Sequence, residues 1–153
     1  MMLQPDCFQT HFVPLAKKNS YISKEGLGLV AYIQSSCDTP SGRDEFVSEL
    51  MKYVKVDSYG KCLNNRKLPE NLQEPQKMKD PQLLDILAKY KFVLAIENAV
   101  CHDYITEKLW KVLQIGAVPL YYGAPNVQEW LPNEYSAILI EDFISAKDLG
   151  TKL

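Results

Sequence analysis

The chain has 153 residues, 46% of them hydrophobic and 24% charged, and a formal net charge of -2. That length supports one domain with an ordinary core, and that composition excludes a disordered or fibrous chain. No apolar run reaches the length of a bilayer span, the opening MMLQPDCFQTHF lacks a charged-then-apolar leader pattern, and the slight acidity excludes a general nucleic-acid surface while leaving room for a local basic pocket.

Residues 1–27 show no sustained period, and KKNSYISKEG predicts an exposed, poorly packed connection, so the domain itself is placed at 28–153. Leu29–Ile33 reads as the first strand, and SSCDTPSG as the loop beyond its carboxyl end. There Pro40 and Gly42 oppose regular structure and leave backbone N–H groups available to a ligand. RDEFVSELMKYV carries Phe46, Val47, Leu50, Met51 and Val54 at helical spacing, which places Arg43 at the start of a helix directly after that loop. Val56–Tyr59 is a short strand, followed by the long polar connection KCLNNRKLPENLQEPQKMKDP, of a length that is usually functional or mobile. Asp80 and Pro81 open the helix PQLLDILAKYK in the order of a capping residue followed by proline.

Phe92–Ile96 is a continuous apolar run closed by Glu97 and Asn98, as expected of a strand buried on both faces of a parallel sheet. ENAVCHD follows, with Asp103 placed to cap the helix TEKLWKVLQIG. Val118–Tyr122 is a further strand, closed by Gly123. In APNVQEWLP, a short helix or turn, Trp130 and Leu131 are expected to pack inward. Ala137–Ile140 is the last strand, and SAKDLGTKL opens a helix inside which the chain stops, which suggests a fragment of a longer protein. Five strands alternating with helices predict an α/β fold with a parallel sheet, whose ligands bind beyond the carboxyl ends of the strands.

The four cysteines Cys7, Cys37, Cys62 and Cys101 form no CxxC pair, so they read either as buried apolar residues or as disulfides in an oxidising compartment, and not as a zinc site. GxGxxG, P-loop and HExxH patterns are absent, and neither His11 nor His102 adjoins a nucleophile elbow. What remains at the carboxyl edge is a set suited to an anion: Arg43 and Lys108 for phosphate oxygens, Asn98 and Tyr104 for neutral hydrogen bonds, and Glu107 for a pair of hydroxyls. Each also has a plain reading as a capped helix start or a solvated charge. Lys108 stands out, because a cation in a first helical turn opposes the helix dipole and is better explained by a nearby anion such as phosphate.

ENAVCHDYITEKLWKVLQIGAVPLYYGAPNVQEWLP resembles the donor-binding signature of the α1,3-fucosyltransferase family, and VDSYGKCLNN and CDTPSGRDEF resemble its upstream blocks, over about Leu29 to Phe143. Within the family the blocks look closest to the animal branch numbered tenth and eleventh, associated with O-fucosylation of serine or threonine on secreted proteins. The resemblance implies the Rossmann-like C-terminal half of a two-domain GT-B glycosyltransferase that binds GDP-fucose and needs no metal or other cofactor. It implies diphosphate contacts from Arg43 and Lys108, ribose contacts from Glu107, and a pocket completed by Asn98 and Tyr104, with Ser36, Glu97 and Gly123 as secondary members. It also implies a glycan or secretory-protein acceptor and a Golgi or endoplasmic reticulum lumenal location. Membrane attachment and the general base would belong to segments outside this chain.

Many relatives have Asn where this chain has Ser36, and Cys101-His102 replaces varied residues; neither change removes a charge. A catalytically silent nucleotide-sugar-binding or interaction module fits the same residues, and a flavodoxin-like domain fits the alternating pattern alone.

Overall fold

The computed structural model describes residues 12–74 and 80–153. Five short strands form one sheet: β1 (Val30–Tyr32), β2 (Val56–Ser58), β3 (Phe92–Ile96), β4 (Val118–Tyr122) and β5 (Ile138–Leu139). Every pairing is parallel, as the sequence pattern predicted, and the order is β2-β1-β3-β4-β5. All five expected strands are present; β3 and β4 have the expected bounds, and β1, β2 and β5 are shorter at their ends. β3 and β4 are the long central pair, in register from Phe92 with Val118 to Ile96 with Tyr122.

Helices cover both faces. Between β1 and β2 runs α2 (Arg43–Leu50), and α3 (Pro81–Ala88) leads into β3, with the Asp80 side chain accepting from the Gln82 N–H at 2.9 Å. α4 (Glu107–Gln114) joins β3 to β4, and α5 (Ala146–Lys152) follows β5. The two sides of the sheet bury separate cores. Ile33, Tyr59, Leu68, Leu72, Leu87 and Leu109 lie on the side of α3 and α4. Tyr32, Val47, Leu50, Ile96, Leu120 and Leu149 lie on the side of α2 and α5. α/β with a Rossmann-like parallel sheet is therefore the fold.

Two expectations need correction. Part of the segment assigned to a loose connection is a helix, α1 (Leu15–Glu25), and its Lys18 is buried. The Lys18 ammonium donates at 2.9 Å to both Tyr90 O and Gly116 O, the carbonyls that close the turns before β3 and β4. Those carbonyls are left over by the sheet and α4, and a lysine stem long enough to snorkel inward satisfies both. Residues 1–11, with Cys7 and His11, and residues 75–79 lie outside the described residues.

Trp130, expected inside, is 53% exposed; Leu131 packs against the core as expected. The described part of the long connection after β2, up to residue 74, packs on the core: Leu68, just before a short 3-10 turn at Glu70–Leu72, and Leu72, its last residue, are buried. A disulfide, Cys37–Cys62, ties the loop after β1 to the loop after β2.

Candidate functional site

The chain leaves β1 for β2 on one side and reaches β3 on the other, so the connections from β1 and β3 diverge and open a crevice at their carboxyl ends. Arg43 enters this crevice from the first position of α2 and is 1% exposed. Its Nη1 donates to Ile96 O at 3.1 Å and to Asn98 Oδ1 at 2.6 Å, and its Nη2 donates to Ser36 O at 2.5 Å. All three acceptors are neutral. Among the described residues no carboxylate lies within ion-pair distance of the guanidinium, and its Nε is buried without a partner.

The loop that brings Arg43 here is held at several points. Asp44 accepts from Asp38 N at 2.9 Å and from the Tyr32 hydroxyl at 3.0 Å. Asp38, a non-glycine residue at φ 53, is thereby fixed in the left-handed region. Ser41 N donates to Asn98 O at 3.1 Å, which adds a backbone link across the same gap. Of the N–H groups that the loop was expected to offer, those of Asp38, Ser41 and Gly42 are therefore already used inside the protein. Burial and the adjacent Asp44 carboxylate push the Tyr32 hydroxyl well above its ordinary range.

Beside Asn98, Glu97 is fully buried and organises the start of α4. Its carboxylate accepts from Thr106 N and Thr106 Oγ1, both at 2.8 Å, and lies 3.5 Å from Lys108 Nζ. Within the protein, Glu97 is thus an anion already beside the Lys108 ammonium in the first turn of α4. Lys108 also donates to Thr106 Oγ1 at 3.2 Å and lies 3.9 Å from Glu107. Gly123 makes this packing possible, since a Cβ there would sit 2.5 Å from Glu97 Cγ and 2.7 Å from the Tyr121 hydroxyl.

The residue that caps α4 is Thr106, not Asp103. Asp103 stands at φ 59 and pairs with Asn126: its N–H donates to Asn126 Oδ1, and its Oδ1 accepts from Asn126 Nδ2 at 2.7 Å and from Trp130 Nε1 at 3.3 Å. These hydrogen bonds, that of Asn126 first, hold the Asp103 carboxyl below its usual range. They also explain why Trp130 stays outside: its indole N–H is used at the surface.

The predicted residues thus form two linked groups on one edge. Arg43, Asn98 and the carbonyl of Ser36 make one, and Glu97, Lys108 and Glu107 the other, joined through the Glu97–Asn98 bond. Tyr104 follows on the loop before α4 and is exposed, without a hydroxyl partner among the described residues. Asp44 and Thr106, which set the geometry, escaped the sequence reading. Thr106 was legible as a threonine directly before the helix; Asp44 was hidden, since its loop partner is a backbone N–H. One lysine of α4, Lys111, has its pKa lowered by burial.

Two cavities adjoin the edge. The smaller, about 290 Å³, lies on the α2 and α5 side between Arg43, Phe46, Tyr122 and Phe143. The larger, about 960 Å³, lies beyond the carboxyl ends of β1 and β2. Cys37, Cys62 and Asp44 cluster as metal ligands would, but both sulfurs are bound to each other.

Residues 23–153 match the family described as glycosyltransferase family 10 (fucosyltransferase), C-terminal part. Among curated relatives, a GDP-fucose protein O-fucosyltransferase 3 of Xenopus tropicalis is 55% identical over 92% of this chain and 30% of its own length. The Danio rerio protein of the same name is 54% identical over 95% of this chain and 31% of its own length. The chain therefore spans about 30% of the length of the relatives it matches. An α1,3-fucosyltransferase crystallised with GDP-fucose superimposes with a TM-score of 0.66 at 22% identity, over 88% of this chain and 39% of that one. That likeness is one of fold. With a family match across 131 of its residues, this chain belongs to glycosyltransferase family 10, the fucosyltransferases, and corresponds to that family's C-terminal part.

Proposed function

We propose that the chain is the donor-binding part of a fucosyltransferase, moving fucose from GDP-fucose to a glycan or to a serine or threonine hydroxyl of a protein, with inversion at the sugar carbon. The observation that carries this reading is Arg43: a buried guanidinium that among the described residues is held by neutral oxygens and has no carboxylate within ion-pair distance. A diphosphate supplies one. Lys108 adds a second cation, shared between the phosphate and Glu97, and the exposed Glu107 is free to accept from ribose hydroxyls. Asn98 and Tyr104 complete the pocket, while Ser36, Glu97 and Gly123 contribute by holding the others.

Fixed cations stabilise the charge that develops on departing GDP, so the reaction needs no metal. The general base that takes the acceptor's proton lies outside this chain. A protein acceptor is supported by the names of the relatives at 55% and 54% identity. The Cys37–Cys62 bond supports an oxidising compartment, the Golgi or endoplasmic reticulum lumen. Among the described residues no helix is long and apolar enough to cross a membrane, so attachment would come from another segment.

A second reading is a nucleotide-sugar-binding or interaction module without activity, since the cations at the carboxyl edge would hold a nucleotide sugar whether or not transfer follows. Calorimetric titration with GDP, beside a radiolabelled fucose transfer assay, tests both. The isolated chain is expected to bind GDP without transferring fucose, and Lys108→Ala to weaken binding by about 1–3 kcal/mol, the range for a hydrogen bond to a charged group. Glu107→Gln is expected to cost less. Unchanged affinity in Lys108→Ala contradicts the donor-site assignment, and clear turnover by the isolated chain contradicts the placing of the base elsewhere.

A further inference from the structure

We propose that the Cys37–Cys62 disulfide is a positioning element of the donor site: it holds the loop that orients Arg43, so that nucleotide binding follows the redox state of this bond. This rests on the donor-site reading above and adds a control to that same site.

The loop from Ser35 to Gly42 has little of its own to hold it. None of its residues is buried, so no core contact sets its path. Asp38 stands at φ 53, a region that a residue with a side chain rarely adopts unless its surroundings impose it. Yet Ser36 in this loop supplies the carbonyl that receives Arg43 Nη2, and Asp38 N donates to Asp44, the residue next to Arg43. Cys37 lies between those two contacts.

Its partner is anchored to the sheet. Cys62 is 2% exposed; its N–H donates to Gln34 O, just past β1, at 3.2 Å, and its carbonyl accepts from Ser58 Oγ, at the end of β2, at 2.7 Å. The two sulfurs and a carboxylate oxygen of Asp44 lie within 4.8 Å of one another, so the bond meets the loop beside the side chain that fixes Asp38. A loop without core contacts is thus fastened to the sheet one residue away from the Ser36 carbonyl. Without the bond, Arg43 keeps Ile96 O and Asn98 Oδ1 at the end of β3 but loses a fixed acceptor on the other side. A guanidinium held from one side alone must be ordered again when a diphosphate binds, and that ordering lowers affinity.

Cys37 is exposed, which opens the bond to a dithiol. A thiolate of the dithiol attacks the Cys37 sulfur, forming a mixed disulfide and releasing Cys62. The second thiolate of the dithiol then displaces Cys37, so the dithiol is oxidised to a disulfide and the protein is left with two thiols. Each released sulfur takes up the proton that an attacking thiol gave up.

The test is calorimetric titration of the full chain with GDP and with inorganic pyrophosphate: oxidised, reduced with dithiothreitol, and reoxidised. The double variant Cys37→Ser, Cys62→Ser and the variant Lys18→Met are titrated beside it. Lys18→Met removes contacts at the opposite, amino-terminal edge of the sheet and reports what lost stability alone does to binding. Reduction is expected to weaken GDP and pyrophosphate about tenfold each, the worth of one hydrogen bond to a charged group, and reoxidation to restore both. Lys18→Met is expected to bind GDP as the wild type does. The double variant is expected to bind like the reduced chain and to ignore dithiothreitol, which excludes Cys7 and Cys101 as the source. Hydrogen exchange at Asp38 N–H is expected to quicken on reduction while Thr106 N–H keeps its rate; a role confined to overall stability would quicken both. Equal affinities in the oxidised and reduced wild type overturn the proposal and leave the donor site standing. Unfolding of the reduced chain and of the double variant, read by circular dichroism, overturns it too, because the bond would then support the whole fold and not the loop. If neither GDP nor pyrophosphate binds the oxidised wild type, the donor reading falls and this one with it.

Discussion

Arg43 and Asn98, 55 residues apart in sequence, meet at 2.6 Å across the carboxyl ends of β1 and β3. The guanidinium spans the gap at which the sheet changes direction, bonding to the loop after β1 through Ser36 and to the end of β3 through Ile96 and Asn98. It is at once a charge offered to a ligand and a strut between two loops. Arg43→Lys preserves the charge but not the planar fork, so it cannot serve acceptors on both sides. The expected result is a loss of stability of about 2–4 kcal/mol, from hydrogen bonds to a charged group left unmade in a buried site. Urea unfolding checks this, and a loss below about 0.5 kcal/mol, the level of an unremarkable surface change, contradicts the strut.

Gly123→Ala tests the support beneath Lys108. The added methyl would overlap Glu97 Cγ and the Tyr121 hydroxyl, both under 3 Å away, and push Glu97 off Thr106. Overpacking of this kind typically costs about 1–3 kcal/mol. A thermal melt should register the loss. Hydrogen exchange should report faster opening at the Thr106 N–H than at the Leu120 N–H in mid-strand; uniform exchange across both would place the damage elsewhere.

Reduction of Cys37–Cys62 should destabilise the fold by about 3.5 kcal/mol, the loop-closure value for a separation of 25 residues. The double variant Cys37→Ala, Cys62→Ala should show the same loss without reductant and no further loss with it. Equal urea midpoints for the oxidised and reduced wild type would count against a structural role for the bond.

Alkaline pH supplies a fourth test. Burial raises the hydroxyl pKa of Tyr32, Tyr59, Tyr90 and Tyr121, in the last case to about 12. Above about pH 10 the unfolded chain releases these protons while the folded chain keeps them, so stability is full below pH 10 and falls as pH rises towards 12. Lys18 and Lys111 work the other way: burial lowers their pKa values, and raising the pH towards 10.5 relieves the cost of their buried charges. Four tyrosines outweigh two lysines, and urea midpoints between pH 8 and 11.5 should decline. Tyr121→Phe should flatten the decline by up to one proton, about 1.4 kcal/mol per pH unit.

The strands, their parallel pairing and the residues that crowd the carboxyl edge were legible in the residue pattern. Continuous apolar runs such as Phe92–Ile96 can be satisfied only by burial on both faces, and a parallel sheet then follows from the alternation with helices. Arg43, Asn98 and Lys108 were found because each lies in the loop beyond such a strand or in the first turn of the helix that follows it, the edge where parallel sheets bind ligands. Local signals with a single competitor also held, as with Asp80 before Pro81.

Where a residue had two chemically acceptable partners, the chain by itself did not choose. Lys108 wants an anion, and only the folded arrangement places Glu97 3.5 Å away, because Gly123 lets β4 close over it. Asp103 and Thr106 both suit a helix start, and the decision came from Asn126, 23 residues later, which draws Asp103 aside and leaves Thr106 to cap. KKNSYISKEG is polar by composition, yet two carbonyls unpaired at the turns before β3 and β4 pull Lys18 inward and fix a helix over it. Local propensity and period depend on neighbours in sequence, whereas hydrogen-bond satisfaction and charge pairing depend on groups that folding brings together from far along the chain.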